Sequence, residues 1–185
     1  MAGRRIAVLV AAALAFTPAA IAQETSSNAT QNFDNWSAHV LEDQGICFAV
    51  SQPLATDNFY EGTDRRKDAN RGDIRLFVTF IPESNVNGEV SYRGGYTFKD
   101  ETPIEIKIGD DVFYLYALPQ DEGGDAEVAW ARTSAEDAQI TAAMRAGAEA
   151  LVIGHSNRGT RTEDRLSLIG FTAAVEFAET RCQGN

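Results

Sequence analysis

His39 and His155 are the only imidazoles in this chain, so a Ser, Thr or Cys nucleophile would have to take one of them as its base. Neither stands in a G-x-S-x-G or H-E-x-x-H pattern. His39, after Trp36-Ser37-Ala38, is expected to be a half-exposed strand residue; His155, between Gly154 and Ser156, is expected to be a hydrogen-bonded turn residue. Carboxylates number 27, and two of them converging on a cleft could run glycoside-type hydrolysis, so a small carboxylate-dependent hydrolase stays open as an alternative. The acidic stretch Asp121-Glu122-Gly123-Gly124-Asp125 offers oxygen ligands to a hard cation but lacks the EF-hand spacing, and a solvated loop is expected there. With no zinc spacing and no phosphate-cradling glycine loop, no catalytic residue, metal or cofactor is assigned.

Two groups of residues could recognise rather than react. Tyr92, Tyr96, Tyr114 and Tyr116 fall on segments expected to be neighbouring strands, and rings that carry a hydroxyl suit an amphipathic binding surface. Arg158 and Arg161 flank Gly159-Thr160 in what is expected to be a simple turn, whose guanidinium groups and backbone amides could alternatively be presented to an anion. The basic cluster Arg65-Arg66-Lys67 with Arg71 lies among Asp64, Asp68 and Asp73 and is expected to be a solvated loop.

The first 22 residues have the parts of a secretory signal peptide. Arg4-Arg5 supply the charge, Ile6 to Phe16 the apolar stretch, and Ala20-Ile21-Ala22 the small-residue cleavage site. Cleavage near Ala22 predicts a periplasmic or secreted protein. That apolar stretch falls short of the roughly 20 residues needed to span a bilayer, and no transmembrane anchor is expected. The leader takes two of the 16 basic residues and none of the 27 acidic ones, so the exported chain is more negative than the −11 of the whole. A chain of that charge is repelled by nucleic acid. In an oxidising compartment the isolated pair Cys47 and Cys182 is expected to form one structural disulfide.

Residues 23–34 are polar and predict a flexible leader, with one domain over 35–185. Alternating apolar residues predict strands over 36–41, 46–51, 74–81, 103–108, 111–118, 127–131 and 162–168, with another around Leu151-Val152-Ile153. Residues 87–98 add a strand bent or bulged at Gly94-Gly95, and Gly109-Asp110 suits a two-residue hairpin turn. Ser134 is expected to cap a helix over 134–147, striped by Ile140, Ala143, Met144 and Ala148; a second helix follows over 171–182. The fold class is mainly β: an antiparallel sandwich or barrel-like domain with an internal helix and a C-terminal one.

Two stretches carry a likeness. Trp36 followed by Gly45-Ile46-Cys47-Phe48-Ala49-Val50-Ser51-Gln52-Pro53, and Gly154-His155-Ser156-Asn157-Arg158-Gly159-Thr160 followed by Ser167-Leu168-Ile169-Gly170-Phe171-Thr172-Ala173-Ala174, together resemble the invasion-associated locus B family of exported bacterial proteins. With only two cysteines, the chain resembles a divergent member. The resemblance implies a small β-rich extracytoplasmic domain without catalytic residues. The function expected is a soluble periplasmic binding or interaction module whose partner is an envelope protein or small ligand, of unknown oligomeric state. The family name makes a surface adhesin or invasion factor the alternative.

Overall fold

The computed structural model describes residues 29–118 and 125–183. The signal peptide, residues 23–28 of the expected leader and most of the acidic loop lie outside the described residues. Eleven strands and two helices run in the order β1 (Ala29–Phe33), β2 (Trp36–Leu41), β3 (Ile46–Ser51), β4 (Ala55–Tyr60), β5 (Arg75–Ile81), β6 (Val86–Arg93), β7 (Ile104–Ile108), β8 (Asp111–Ala117), β9 (Val128–Trp130), α1 (Ser134–Ala146), β10 (Glu149–His155), β11 (Thr160–Ser167) and α2 (Phe171–Gln183). Alternation places these strands: Leu76, Val78 and Phe80 point into the core from β5, and Ile104, Ile106 and Ile108 do so from β7. Leu115 lies opposite Ile104 in the β7–β8 hairpin, which turns on Gly109-Asp110.

All pairings are antiparallel, in the spatial order β1-β2-β3-β5-β6-β9-β8-β7-β10-β11-β4. Such a row laid flat would hold β6 and β11 apart by four intervening strands of about 4.8 Å spacing each. Instead the Tyr92 hydroxyl of β6 bonds the Asp164 carboxylate of β11, and the Trp36 indole N–H of β2 donates to the Ser167 carbonyl at 2.9 Å. The sheet therefore doubles back on itself around one core, with its two ends, β1 and β4, not paired to each other.

Several expectations change. β1 begins at Ala29, inside the segment expected to be a flexible leader, because its backbone pairs with β2 from Ala29↔Val40 to Phe33↔Trp36. β4 occupies part of the polar stretch before β5. Gly94-Gly95 ends β6 in a bend; the bulge sits at Gly88, where the register with β5 shifts between Thr79 and Phe80. Thr133, not Ser134, caps α1, its Oγ1 accepting from the Glu136 amide at 3.2 Å. Ala148 is exposed beyond the helix end, while Asp137 is buried on the inner face and accepts the Val90 amide at 2.8 Å.

α2 packs over β1, β2 and β3 through Phe171, Ala174, Val175 and Ala178, while Ala173 is exposed. Its last turn is joined to β3 by the Cys47–Cys182 disulfide, which spans 135 residues. Gly170, at φ 91°, turns β11 into α2 so close to the first strand that an added Cβ would stand 1.9 Å from the Phe33 carbonyl oxygen.

Candidate functional site: a polar cleft between β11 and the 67–71 segment

The inner face of β11 changes character along its length. Leu166 joins the apolar core, whereas Thr160, Thr162 and Asp164, also buried, put hydroxyls and a carboxylate into the interior. Buried polar groups of this kind need partners. They come from the segment between β4 and β5 and from the bend after β6. Arg71, its side chain 6% exposed, forms two parallel bonds of 2.7 Å to the Asp164 carboxylate and donates to the Gly94 carbonyl and the Tyr92 hydroxyl. Lys67 donates to Thr160 Oγ1 at 2.8 Å, and the Tyr96 hydroxyl bonds Thr162 Oγ1 at 2.7 Å. Gly154 makes room for that tyrosine: a Cβ there would meet its hydroxyl at 2.4 Å.

Over this floor opens a cleft of about 390 Å³, walled by Lys67 to Arg71 on one side and by Asn157 and Arg158 of the β10–β11 turn on the other. Tyr96, Thr97, Asn58 and Glu127 complete it.

The electrostatics are those of a buried, paired network. Burial alone would lower the Arg71 pKa, but the bonded Asp164 outweighs it and the guanidinium stays firmly charged. Burial pushes the Tyr92 phenol well above its ordinary value, with the Asp164 charge adding to the rise. Tyr96 is pushed up to about 12, first by burial, against the opposing Thr162 bond and Arg71 charge. Both phenols are therefore hydrogen-bonding groups and not bases at neutral pH. Asp164, with Arg71 and Tyr92 on its oxygens, is engaged as a structural counter-charge.

The four tyrosines do not form one surface. Tyr92 is fully buried in the network, Tyr96 half-buried at the cleft, Tyr114 exposed on β8, and Tyr116 half-buried beneath the Arg132 guanidinium, 3.5 Å from its ring centroid. Their strands are separated in the sheet by β9, so Tyr92 and Tyr114 face different surroundings.

Arg158 and Arg161 also part. Arg158 is exposed on the cleft wall; Arg161 lies 4.3 Å from the Phe59 ring centroid and pairs with Glu163 and Asp64. The basic cluster is not a free solvated loop: Tyr60 N–H donates to the Arg65 carbonyl and Lys67 N–H to the Asn58 carbonyl, so the segment adds to the edge of β4, and Arg71 is interior.

His39 is half-buried, stacked on Phe48, between Thr30 and Ser37; burial first, then Arg75, lowers its pKa. His155 Nδ1 stands 3.8 Å from Glu61 Oε1, whose carboxylate is held by Lys99 at 2.6 Å. Ser156 Oγ accepts the Thr160 amide inside the turn, so its hydroxyl serves the hairpin.

Sequence reading missed Arg71, Asp164, Lys67 and Asn58 as parts of one site. A signal was present for β11: Thr160, Thr162 and Asp164 share its period-2 face with Leu166, a polar run where a core face was due.

Fold and site together define a disulfide-joined, mainly β domain with a curled antiparallel sheet, two helices on its flank and a polar cleft at one end. Among solved structures, the crystal structure of invasion associated protein B from Bartonella henselae is similar, with a TM-score of 0.52 at 16% identity, over 85% of this chain and 99% of that one. At that identity the likeness is one of fold. No family model and no curated protein matches the sequence. No helix among the described residues is long and apolar enough to cross a membrane.

Proposed function

We propose that the chain is an exported binding or interaction module of the bacterial envelope, periplasmic or secreted, without catalytic activity and related to the invasion-associated locus B proteins. The observation that carries this reading is the shared fold, which takes in 99% of the Bartonella protein, together with a disulfide of the kind that persists in oxidising compartments. Beneath the cleft, Asp164 is fully engaged by Arg71 and Tyr92, which leaves that carboxylate no proton-transfer role with a substrate. The mature chain starts at Gln23 in this reading, and the partner is an envelope protein or a small ligand.

Intact producing cells treated with an impermeant protease, with a periplasmic protein as internal control, test the location. Protection until the outer membrane is opened supports the periplasmic module; digestion in intact cells favours a surface adhesin. N-terminal sequencing of the exported protein checks the cleavage site, and retention of the full-length chain in the cytoplasm would overturn export altogether.

A further inference from the structure

We infer that the cleft between the 67–71 segment and the β10–β11 turn binds a carboxylated, hydroxyl-rich small molecule, an acidic sugar. The inference names a ligand class for the binding module proposed above and rests on that reading.

The first observation is one of charge. Acidic residues outnumber basic ones 27 to 16. Among the described residues, each Lys or Arg has a carboxylate within 4.0 Å except Arg65, Lys67, Arg132 and Arg158. Arg65 and Arg132 lie over the Tyr60 and Tyr116 rings at 4.1 and 3.5 Å. Lys67 Nζ stands farther off, 5.4 Å from the Tyr60 centroid, and Lys67 and Arg158 line the same cleft. Lys67 spends one of its three N–H donors on Thr160 and keeps two. In so acidic a chain, two cations that line one cleft with no carboxylate within 4.0 Å among the described residues are placed for an anion supplied from outside.

The second observation is independent of charge. Asn58 Oδ1 is sealed from solvent with no hydrogen-bond donor among the described residues, an arrangement that costs stability. Asn58 pairs with Thr162 across β4 and β11 and lines the cleft beside it. A turn of its carboxamide toward the opening would offer that acceptor to a ligand hydroxyl. Asn70, Asn157 and Thr97, also in the lining, carry amides and a hydroxyl, groups that donate and accept as sugar hydroxyls do.

Asp68 and Glu127, also in the lining, set the selectivity. They repel a compact, multiply charged anion such as phosphate and accept from hydroxyls. A single carboxylate on a hydroxylated ring satisfies both halves of the site, and the cleft lies within the roughly 300–1,000 Å³ usual for small-ligand pockets.

D-glucuronate titrated into the isotope-labelled exported chain, with D-glucose and inorganic phosphate as comparisons, tests this by amide chemical shifts. Glucuronate should move the Lys67, Asn157 and Arg158 amides saturably. Arg158→Gln and Lys67→Gln should each weaken it about tenfold, the increment of a charge-assisted bond of about 1.4 kcal/mol. Arg158 is exposed, so its variant should melt as the parent does. Shifts absent at millimolar glucuronate, shifts outside the cleft, or phosphate binding as tightly as glucuronate would each overturn the assignment. An exported chain that ignores glucuronate loses this inference and keeps the proposed function; a chain that binds it but stays in the cytoplasm does the reverse.

Discussion

Arg71 and Asp164, 93 residues apart in sequence, meet through two parallel hydrogen bonds of 2.7 Å in the interior, with both side chains nearly inaccessible. The pair fastens the segment after β4 to β11, and through Tyr92 it fastens β6 as well.

Breaking one side of this pair strands a buried charge. Arg71→Ala and Asp164→Ala are each expected to cost roughly 3–5 kcal/mol, whereas the double change Arg71→Met with Asp164→Leu should recover much of that loss. Urea titration followed by tryptophan fluorescence checks both; single variants as stable as the parent would show the pair to be dispensable.

The disulfide closes nearly the whole domain into one loop, joining cysteines 135 positions apart. The oxidised protein, denatured without reductant, should take up no thiol alkylating agent and two equivalents after reduction. Removing the link by Cys47→Ser with Cys182→Ser should lower stability by up to about 5 kcal/mol, the limit set by loop entropy.

Gly170→Ala should be among the most damaging single-methyl additions. The new Cβ meets a backbone oxygen, which cannot step aside as a side-chain tip can, and the φ of 91° disfavours any L side chain. A loss of roughly 2–4 kcal/mol is expected from strain plus overpacking, read as a fall in the thermal midpoint.

Asp137 and Glu89 give the fold a pH dependence of defined sign. Burial raises the Asp137 pKa above its ordinary 3.8; the Val90 amide bond opposes this and Glu136 adds to it. Burial, then the charge of Asp137, raises Glu89 above 4.5. Because the folded state holds these protons more tightly than the unfolded one, their contribution is complete below the ordinary values and is lost as pH rises through the raised folded ones. Asp137→Asn keeps an acceptor for Val90 and should flatten that decline as pH rises above the ordinary carboxylate range. Asp137→Ala leaves a buried amide unpaired, at about 1–3 kcal/mol. Denaturation midpoints across pH distinguish the two.

The strands whose alternation separates core from solvent were legible almost to the residue: β2 and β3 lie where Trp36, Ala38, Val40 and Cys47, Ala49 mark a buried face. β1 and β4 escaped because each is a terminal strand of the sheet and buries no residue fully, so Ala29–Phe33 and Ala55–Tyr60 have the composition of loops. The tyrosines divide for a related reason. A ring on a strand is the same letter whether it faces a buried arginine, as Tyr92 does, or water, as Tyr114 does, and only the doubling back of the sheet decides. The cleft was half legible: the turn carrying Arg158 drew attention as an anion site, but its opposite wall comes from residues some 90 positions earlier, and no local pattern announces that pairing.

Phe33, Asn35 and Trp36 are held by the far end of the chain: Gly170 is wedged against the Phe33 carbonyl, the Asn35 amide donates to Ile169, and the Trp36 indole donates to Ser167. This imposes an order of assembly. A chain synthesised from its N-terminus has its opening strands ready long before the residues that clasp them exist, so the earliest segment must wait for the latest. High contact order of this kind slows folding. On the export route proposed above, that delay would keep the chain open until its last helix has followed it through.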